Sequence, residues 1–398
     1  MTDETRFLNK TFLLKSDPFK EREARASEKE LEYWVNRTDE LKKIKDFIDQ
    51  SLNKDENSFI MIRGGNGDGK SMIILKTEKE ILSEENYRDF IVTNMNFMGT
   101  LVPKNTLDIY LRIFLSLLEK IRSQEVLRTK FIGEIKKLDT DAFNNFIQSA
   151  RFYLAKEGDG DVYSLYTHAV ANKYFEGRSL TKSERFDIEI YDSLRTESEA
   201  QKVLAGFLIA LKKCDLKRLL IFVDELEYLF ALMPRAKQSQ FIAFLRSLYD
   251  FPEGSTHSAL SISMARIVMI MSISIEGYRA LDLIDQQERD TSGGPVQALL
   301  RRMEGPLDLN RFKESDIKDL IKVTLEKERT KKGLNKYNPP FEDDFVKFLS
   351  SKTGGNPSKI VRLCKSVMSS ALLDQPKTIT KEYAESVLRL EQVESTLS

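Results

Sequence analysis

The chain has 398 residues, long enough for two or three packed parts and a sizeable core. Its 62 Lys plus Arg balance 62 Asp plus Glu, which excludes a globally basic nucleic-acid coat and leaves only a local basic patch open. Two cysteines (Cys214, Cys364) and two histidines (His168, His257) exclude a disulfide framework and argue against a His/Cys zinc site or a Ser/His triad. The opening MTDETRFLNK lacks an apolar segment, so no signal peptide is expected. No apolar run approaches the roughly 18 residues of a membrane span. A reducing, cytoplasmic setting is therefore expected.

Residues 1–30 are polar and charge-rich, with a turn expected at Ser16-Asp17-Pro18-Phe19. Over 38–52, Thr38 can cap a helix whose apolar face is Leu41, Ile44, Phe47, Ile48 and Leu52. The apolar run 58–63 reads as a strand, followed by the glycine loop GGNGDGKS at 64–71. A helix is expected from about 70 to 83 and a second strand over 89–95. Strand, glycine turn, helix and strand in that order make a βαβ unit with a parallel sheet. From about 103 to 213 the pattern is mostly helical, broken at Glu157-Gly158-Asp159-Gly160 and Glu176-Gly177-Arg178. Its last helix, 197–213, leads into Leu219-Leu220-Ile221-Phe222-Val223, which has the wholly apolar character of a strand buried on both faces. A helix over 236–250 and a strand over 266–274 follow. Helices resume at 296–303, 314–328, 341–352, 357–373 and 380–391, with a loop at Asn338-Pro339-Pro340.

The loop fits G-x-x-x-x-G-K-[ST], with Gly64, Gly69, Lys70 and Ser71 at the fixed positions. Backbone amides turning inward around an anion need side chains out of the way, hence glycine. The helix that starts near Lys70 adds its positive end. Gly64, Gly65, Asn66, Gly67, Asp68, Gly69, Lys70, Ser71 and Met72 are thus the expected cradle of ATP. Lys70 would reach the β- and γ-phosphates, and the Ser71 hydroxyl would ligate Mg²⁺. An acid inside such a loop, Asp68, is expected to point outward.

Asp224-Glu225 ends the apolar strand, at the edge of the sheet where open α/β folds bind ligands. Asp224 would hold Mg²⁺ through water, and Glu225 would orient and polarise the attacking water. A polar residue ending strand 266–274 would sense the γ-phosphate. Ser272 and Ser274 share one face, and Ser274, nearer the edge, is the expected sensor.

With these elements together, the chain resembles AAA+ ATPases over roughly residues 17–390, within the initiator-like group of origin-recognition and transposition-regulator ATPases. Asp17-Pro18-Phe19 and WVNRTDELKKI (34–44) resemble the family's F-V-G-R-x-x-E-L signature. The resemblance implies that Trp34, Val35 and Arg37 lie beside the adenine. TGGNPSKIVRLC (353–364) resembles the lid signature G-x-x-R, but Ser358 stands at the arginine position. Lys359 or Arg362, one residue or one turn away, is the implied substitute. Arg301 or Arg302 corresponds to the arginine that reaches a neighbouring subunit's ATP, which implies a homo-oligomer. Asn94 or Asn96 would restrain Glu225 until a partner binds.

The implied architecture is α/β: a three-layer P-loop AAA+ nucleotide-binding domain with a parallel sheet, a large helical insertion and a C-terminal helical lid. Its divisions are an N-terminal extension (1–33), the nucleotide domain (34–310, insertion about 103–200) and the lid (311–398). Lys70 and Asp224 are 154 positions apart, and roughly 90 of these exceed the one further strand–helix pair that is needed. The excess is expected to be a partner surface or helical subdomain. Lys and Arg over 120–137 serve either nucleic acid or a solvated helix face. The chain ends after the lid helices, leaving no room for the winged-helix domain of origin-binding relatives. A regulator working with a separate effector protein is therefore expected, meeting nucleic acid directly or through that partner. Transposition, replication and anti-phage defence are the candidate processes. The alternatives are an ATP-dependent scaffold with negligible turnover and a signalling ATPase of the death-and-defence type.

Overall fold

Four apolar runs become strands: β1 (Ser58–Gly64), β2 (Phe90–Asn96), β3 (Arg218–Asp224) and β4 (Arg266–Ser274). A fifth, β5 (Glu304–Asp308), follows the helix Pro295–Leu300, where the sequence pattern extends that helix to 303. β5 contains Pro306 and exposes most of its residues, as suits a sheet edge, so it lacks the apolar signature of a buried strand. The computed structural model describes residues 3–22, 26–97, 103–155, 162–232, 235–251, 264–288, 295–330 and 339–397. The expected break at 157–160 lies outside them, as does Asn338 of the expected loop.

The five strands form one parallel sheet in the order β2-β3-β4-β1-β5, and the fold class is α/β. β2 pairs with β3 from Phe90↔Arg218 to Asn96↔Asp224, and β3 pairs with β4 from Arg218↔Arg266 to Val223↔Met271. Every residue of β4 is buried, as a strand covered on both faces requires. From β1 the chain crosses past β4 and β3 to β2; from β4 it crosses past β1 to β5. The neighbours β1 and β4 thus send the chain in opposite directions. In open α/β sheets, ligands bind beyond the carboxyl ends of strands at such a switch point.

The chain divides into two compact units: residues 43–63 with 77–307, and residues 1–42, 64–76 and 308–398. In the first, β2 and β3 are joined through the helices Thr106–Arg122, Glu125–Ile135, Thr140–Leu154, Val162–Phe175, Lys182–Asp187 and Glu197–Lys213. Thr196 and Glu199 form a capping box at the start of the last helix. Aromatic rings fill the core of this helical stretch. Phe207 stacks on Phe114 at 5.4 Å between centroids and meets Phe146 at 4.7 Å. Gly206 beside it leaves room for Phe146, whose ring would lie 2.5 Å from an added Cβ. Phe207→Ala is expected to cost about 3–5 kcal/mol of stability through the lost contacts and the cavity left behind. A thermal-unfolding midpoint within error of wild type would contradict that assignment.

The second unit has its own core, which includes Phe12, Phe19, Ile321, Phe345 and Met368. The N-terminal residues therefore belong to a core that also holds C-terminal helices, although their local sequence is polar and charge-rich. Arg22 is buried with them: Nε donates to Glu30 at 2.8 Å, Nη1 donates to Thr324 at 2.7 Å, and the guanidinium lies 3.9 Å from the Tyr33 ring centre. A cation is tolerated there because it is paired and hydrogen-bonded. Among the described residues, no helix is long and apolar enough to cross a membrane.

Candidate functional site

The loop 64–71 lies in the second unit. Gly67 (φ +80°) and Gly69 (φ +94°) adopt the left-handed conformation that closes it. The helix Lys70–Ser83 begins at once, its first turn closed by the Ile73 amide on the Gly69 carbonyl at 3.0 Å. The amides of Lys70, Ser71 and Met72 thus lie at the positive helix end, where intrahelical acceptors run out. Lys70 is buried, and its Nζ donates to the carbonyls of Gly64 at 3.2 Å and Gly65 at 3.3 Å. Ser71 and Met72 are half-buried. An ammonium, three amides and a hydroxyl in one turn provide the donor set a triphosphate needs.

Asp68 departs from the expectation that it points outward: it is 1% exposed. Its Oδ2 accepts from the Gly65 amide at 2.6 Å, and its Oδ1 accepts from Asn356 Nδ2 at 2.8 Å. Arg311 Nε lies 3.9 Å from Oδ1. The acid turns inward because hydrogen-bond donors stand there.

Arg37, expected beside adenine, is buried in a left-handed conformation (φ +72°). Its Nη1 pairs with Glu40 at 2.9 Å, and its Nη2 donates to the Asp68 carbonyl at 2.9 Å. The arginine therefore braces the loop backbone. Trp34 and Val35 are half-buried, and Val35 packs against the core of this unit. Ser358 approaches the loop through its amide, which donates to the Gly67 carbonyl at 3.3 Å. Lys359 and Arg362 are exposed. The arginines placed beside the loop are Arg37 and Arg311. Arg311 carries no motif signal; Asn356 announces itself only as the cap before Pro357.

At the carboxyl end of β3, in the first unit, Asp224 and Glu225 are both half-buried. Glu225 is left-handed (φ +60°), a strained conformation for a residue with a Cβ and one that concentrates at functional sites. Its amide donates to Asp224 Oδ1 at 3.1 Å and to Ser272 Oγ at 3.0 Å, while the Ser272 hydroxyl donates to Asp224 Oδ1. Ser272 is thus the hydroxyl that reaches the acids. Ser274, the expected sensor, instead accepts the Gly277 amide at 2.9 Å at the start of the helix Ile275–Glu288, and its own amide donates to Glu227 at 3.2 Å. In the sheet register Asn96 is paired with Asp224, whereas Asn94 is paired with Phe222 two residues earlier. Asn96 is the closer of the two to the acids.

The structure separates the adjacent arginines. Arg302 donates to Asp250 at 2.9 Å and to the Ala298 carbonyl at 2.9 Å, whereas Arg301 is exposed. Neither cysteine offers a reactive thiol: burial pushes Cys214 up to about 11 and Cys364 higher still. Among the described residues, no cluster of three or more His, Cys, Asp or Glu is placed to hold a metal unaided. The Ser71 hydroxyl in the second unit and the Asp224 carboxylate in the first are each a donor type that suits Mg²⁺, which keeps waters and takes substrate phosphate oxygens as ligands.

No family model matches the chain, and no curated protein matches it. Among solved structures it is similar to a chain in the structure of Drosophila ORC bound to DNA, at 13% identity and a TM-score of 0.44. The similarity covers 92% of this chain and 66% of that one, so the chain spans just under two thirds of that neighbour's length. A likeness of this degree decides neither family nor activity.

Proposed function

We propose that the chain is an AAA+ ATPase that binds ATP with Mg²⁺, hydrolyses it, and assembles with copies of itself to control a nucleic-acid process. The observation that carries this reading is the sheet edge. A phosphate-type loop leaves β1, and an aspartate–glutamate pair leaves β3 in the same parallel sheet. The amides of 69–72 and Lys70 would bind and orient the phosphates. Ser71 and Asp224 would hold Mg²⁺, whose charge offsets that of the phosphate oxygens. Glu225 would take the proton of the attacking water, with Ser272 fixing Asp224 and the Glu225 amide. Arg301, being exposed, is the better placed of the two arginines to reach a neighbouring subunit's nucleotide. An effector protein, contact with nucleic acid directly or through it, and a cytoplasmic setting complete the proposal. Transposition, replication and anti-phage defence are its candidate processes.

Lys70→Ala tests the nucleotide reading. Losing a charged hydrogen-bond donor to the phosphates is expected to weaken ATP binding by roughly 10- to 150-fold. Titration with a fluorescent ATP analogue measures it, and an unchanged Kd would overturn the reading. A second reading, a nucleotide-dependent scaffold with negligible turnover, is favoured by Ser358 at the lid's arginine position. Equal, near-zero hydrolysis by wild type and Glu225→Gln, with and without double-stranded DNA, would select the scaffold.

A further inference from the structure

An acid is a poor choice for a loop that must attract a triphosphate, because a bare carboxylate repels the phosphates. Asp68 is nonetheless buried in the loop, so its charge must be compensated locally. The compensation comes from three segments of the same compact unit. Gly65 donates from within the loop, Asn356 donates from the start of the helix Pro357–Asp374, and the Arg311 guanidinium stands at 3.9 Å. Asn356 also donates to the Asn66 carbonyl at 2.7 Å.

The orientation of the Asn356 amide is fixed by chemistry. Its Oδ1 caps the helix by accepting the Lys359 amide at 3.0 Å, which leaves Nδ2, with two hydrogens, for the loop. Gly67 closes the same contact: an added Cβ would stand 2.7 Å from the Ser358 Cβ. The loop therefore rests on a helix start almost three hundred residues further along the chain, as the separation of 288 positions between Asp68 and Asn356 records.

We propose that Asp68 and Asn356 form a clasp that sets the shape of the phosphate loop, making them positioning residues for nucleotide binding. The proposal rests on reading 64–71 as a phosphate loop. Two bonds from one carboxylate hold Gly65 and the helix start together. The amides that face the phosphates are then pre-arranged, and binding does not have to supply the ordering. The charge of Asp68 is spent on the clasp.

Asn356→Asp separates the clasp from the helix cap. Aspartate caps as well as asparagine, but it loses both donors and sets a second carboxylate against Asp68. Adding Asp68→Asn reverses the pair: the new amide donates to residue 356 and its oxygen accepts from Gly65. The full chain would be titrated with a fluorescent ATP analogue, and hydrogen exchange followed at the amides of 65–72 and of the helix. Asn356→Asp is expected to weaken binding about tenfold and to speed exchange at Gly65, with exchange in the helix body unchanged. The double variant is expected to return to within roughly threefold of wild type, since a coupled pair departs from additivity. Wild-type affinity and exchange in Asn356→Asp, or a double variant as weak as the single one, would overturn the clasp. If wild type and Lys70→Ala bind ATP equally, the nucleotide reading fails. The Gly65 exchange rates then decide the clasp alone: restoration in the double variant supports it, and its absence overturns it.

Discussion

Glu225→Gln is expected to lower ATP turnover by about 10²–10⁴-fold, the usual contribution of a positioned general base. The substitution keeps the shape of the side chain and removes its ability to take a proton. Glu225 follows β3 in a left-handed conformation, its amide donating to Asp224 and Ser272. Those bonds involve the backbone, so they survive in the variant and the backbone geometry persists. Nucleotide affinity should therefore stay within about threefold, because the interaction removed belongs to the transition state. Phosphate release under saturating ATP, with parallel binding titrations, separates the two quantities. Measurable turnover that is equal in the two proteins would remove Glu225 from the chemistry.

Arg301→Ala is expected to lower turnover of the assembled protein by roughly 10³-fold, the lower end of what an arginine supplied in trans contributes. The rate of dilute protein and its nucleotide affinity should be unaffected, because the arginine would act on a neighbour's nucleotide. Arg302→Ala should behave differently. Its guanidinium is half-buried against Asp250 and the Ala298 carbonyl, so its loss should cost about 1 kcal/mol of stability or less and leave assembled turnover nearly intact. Hydrolysis rate against protein concentration, with a thermal melt for each variant, distinguishes the pair. A rate independent of concentration in wild type, or equal losses in both variants, would rule out the trans role of Arg301.

Much of the scaffold was legible from local pattern. β1, the glycine loop and the helix Lys70–Ser83 follow from an apolar run, left-handed glycines and a helical apolar spacing. The apolar character of β3, the position of Asp224 at its end and all of β4 were legible for the same reason. β5 was not, because an edge strand with a proline and few buried residues carries no strand signature. The N-terminal residues concealed a core role. Phe7, Phe12 and Phe19 are scattered among charges, and only packing with distant helices buries them.

At the candidate site, the sequence by itself determined which residue types were available: a loop able to take φ > 0, a lysine behind it, and a carboxylate pair closing an apolar strand. These depend on bonds and periodicities spanning a few residues, which local sequence encodes. Only the tertiary structure decided that Ser272 and not Ser274 reaches the acids, since that choice follows from the register of β3 against β4. It alone turned Asp68 inward onto Asn356 and placed Arg37 on the Asp68 carbonyl. It also engaged Arg302 and left Arg301 exposed. Each outcome is a pairing between groups brought together by the fold, and a buried polar group takes whichever partner the packing presents.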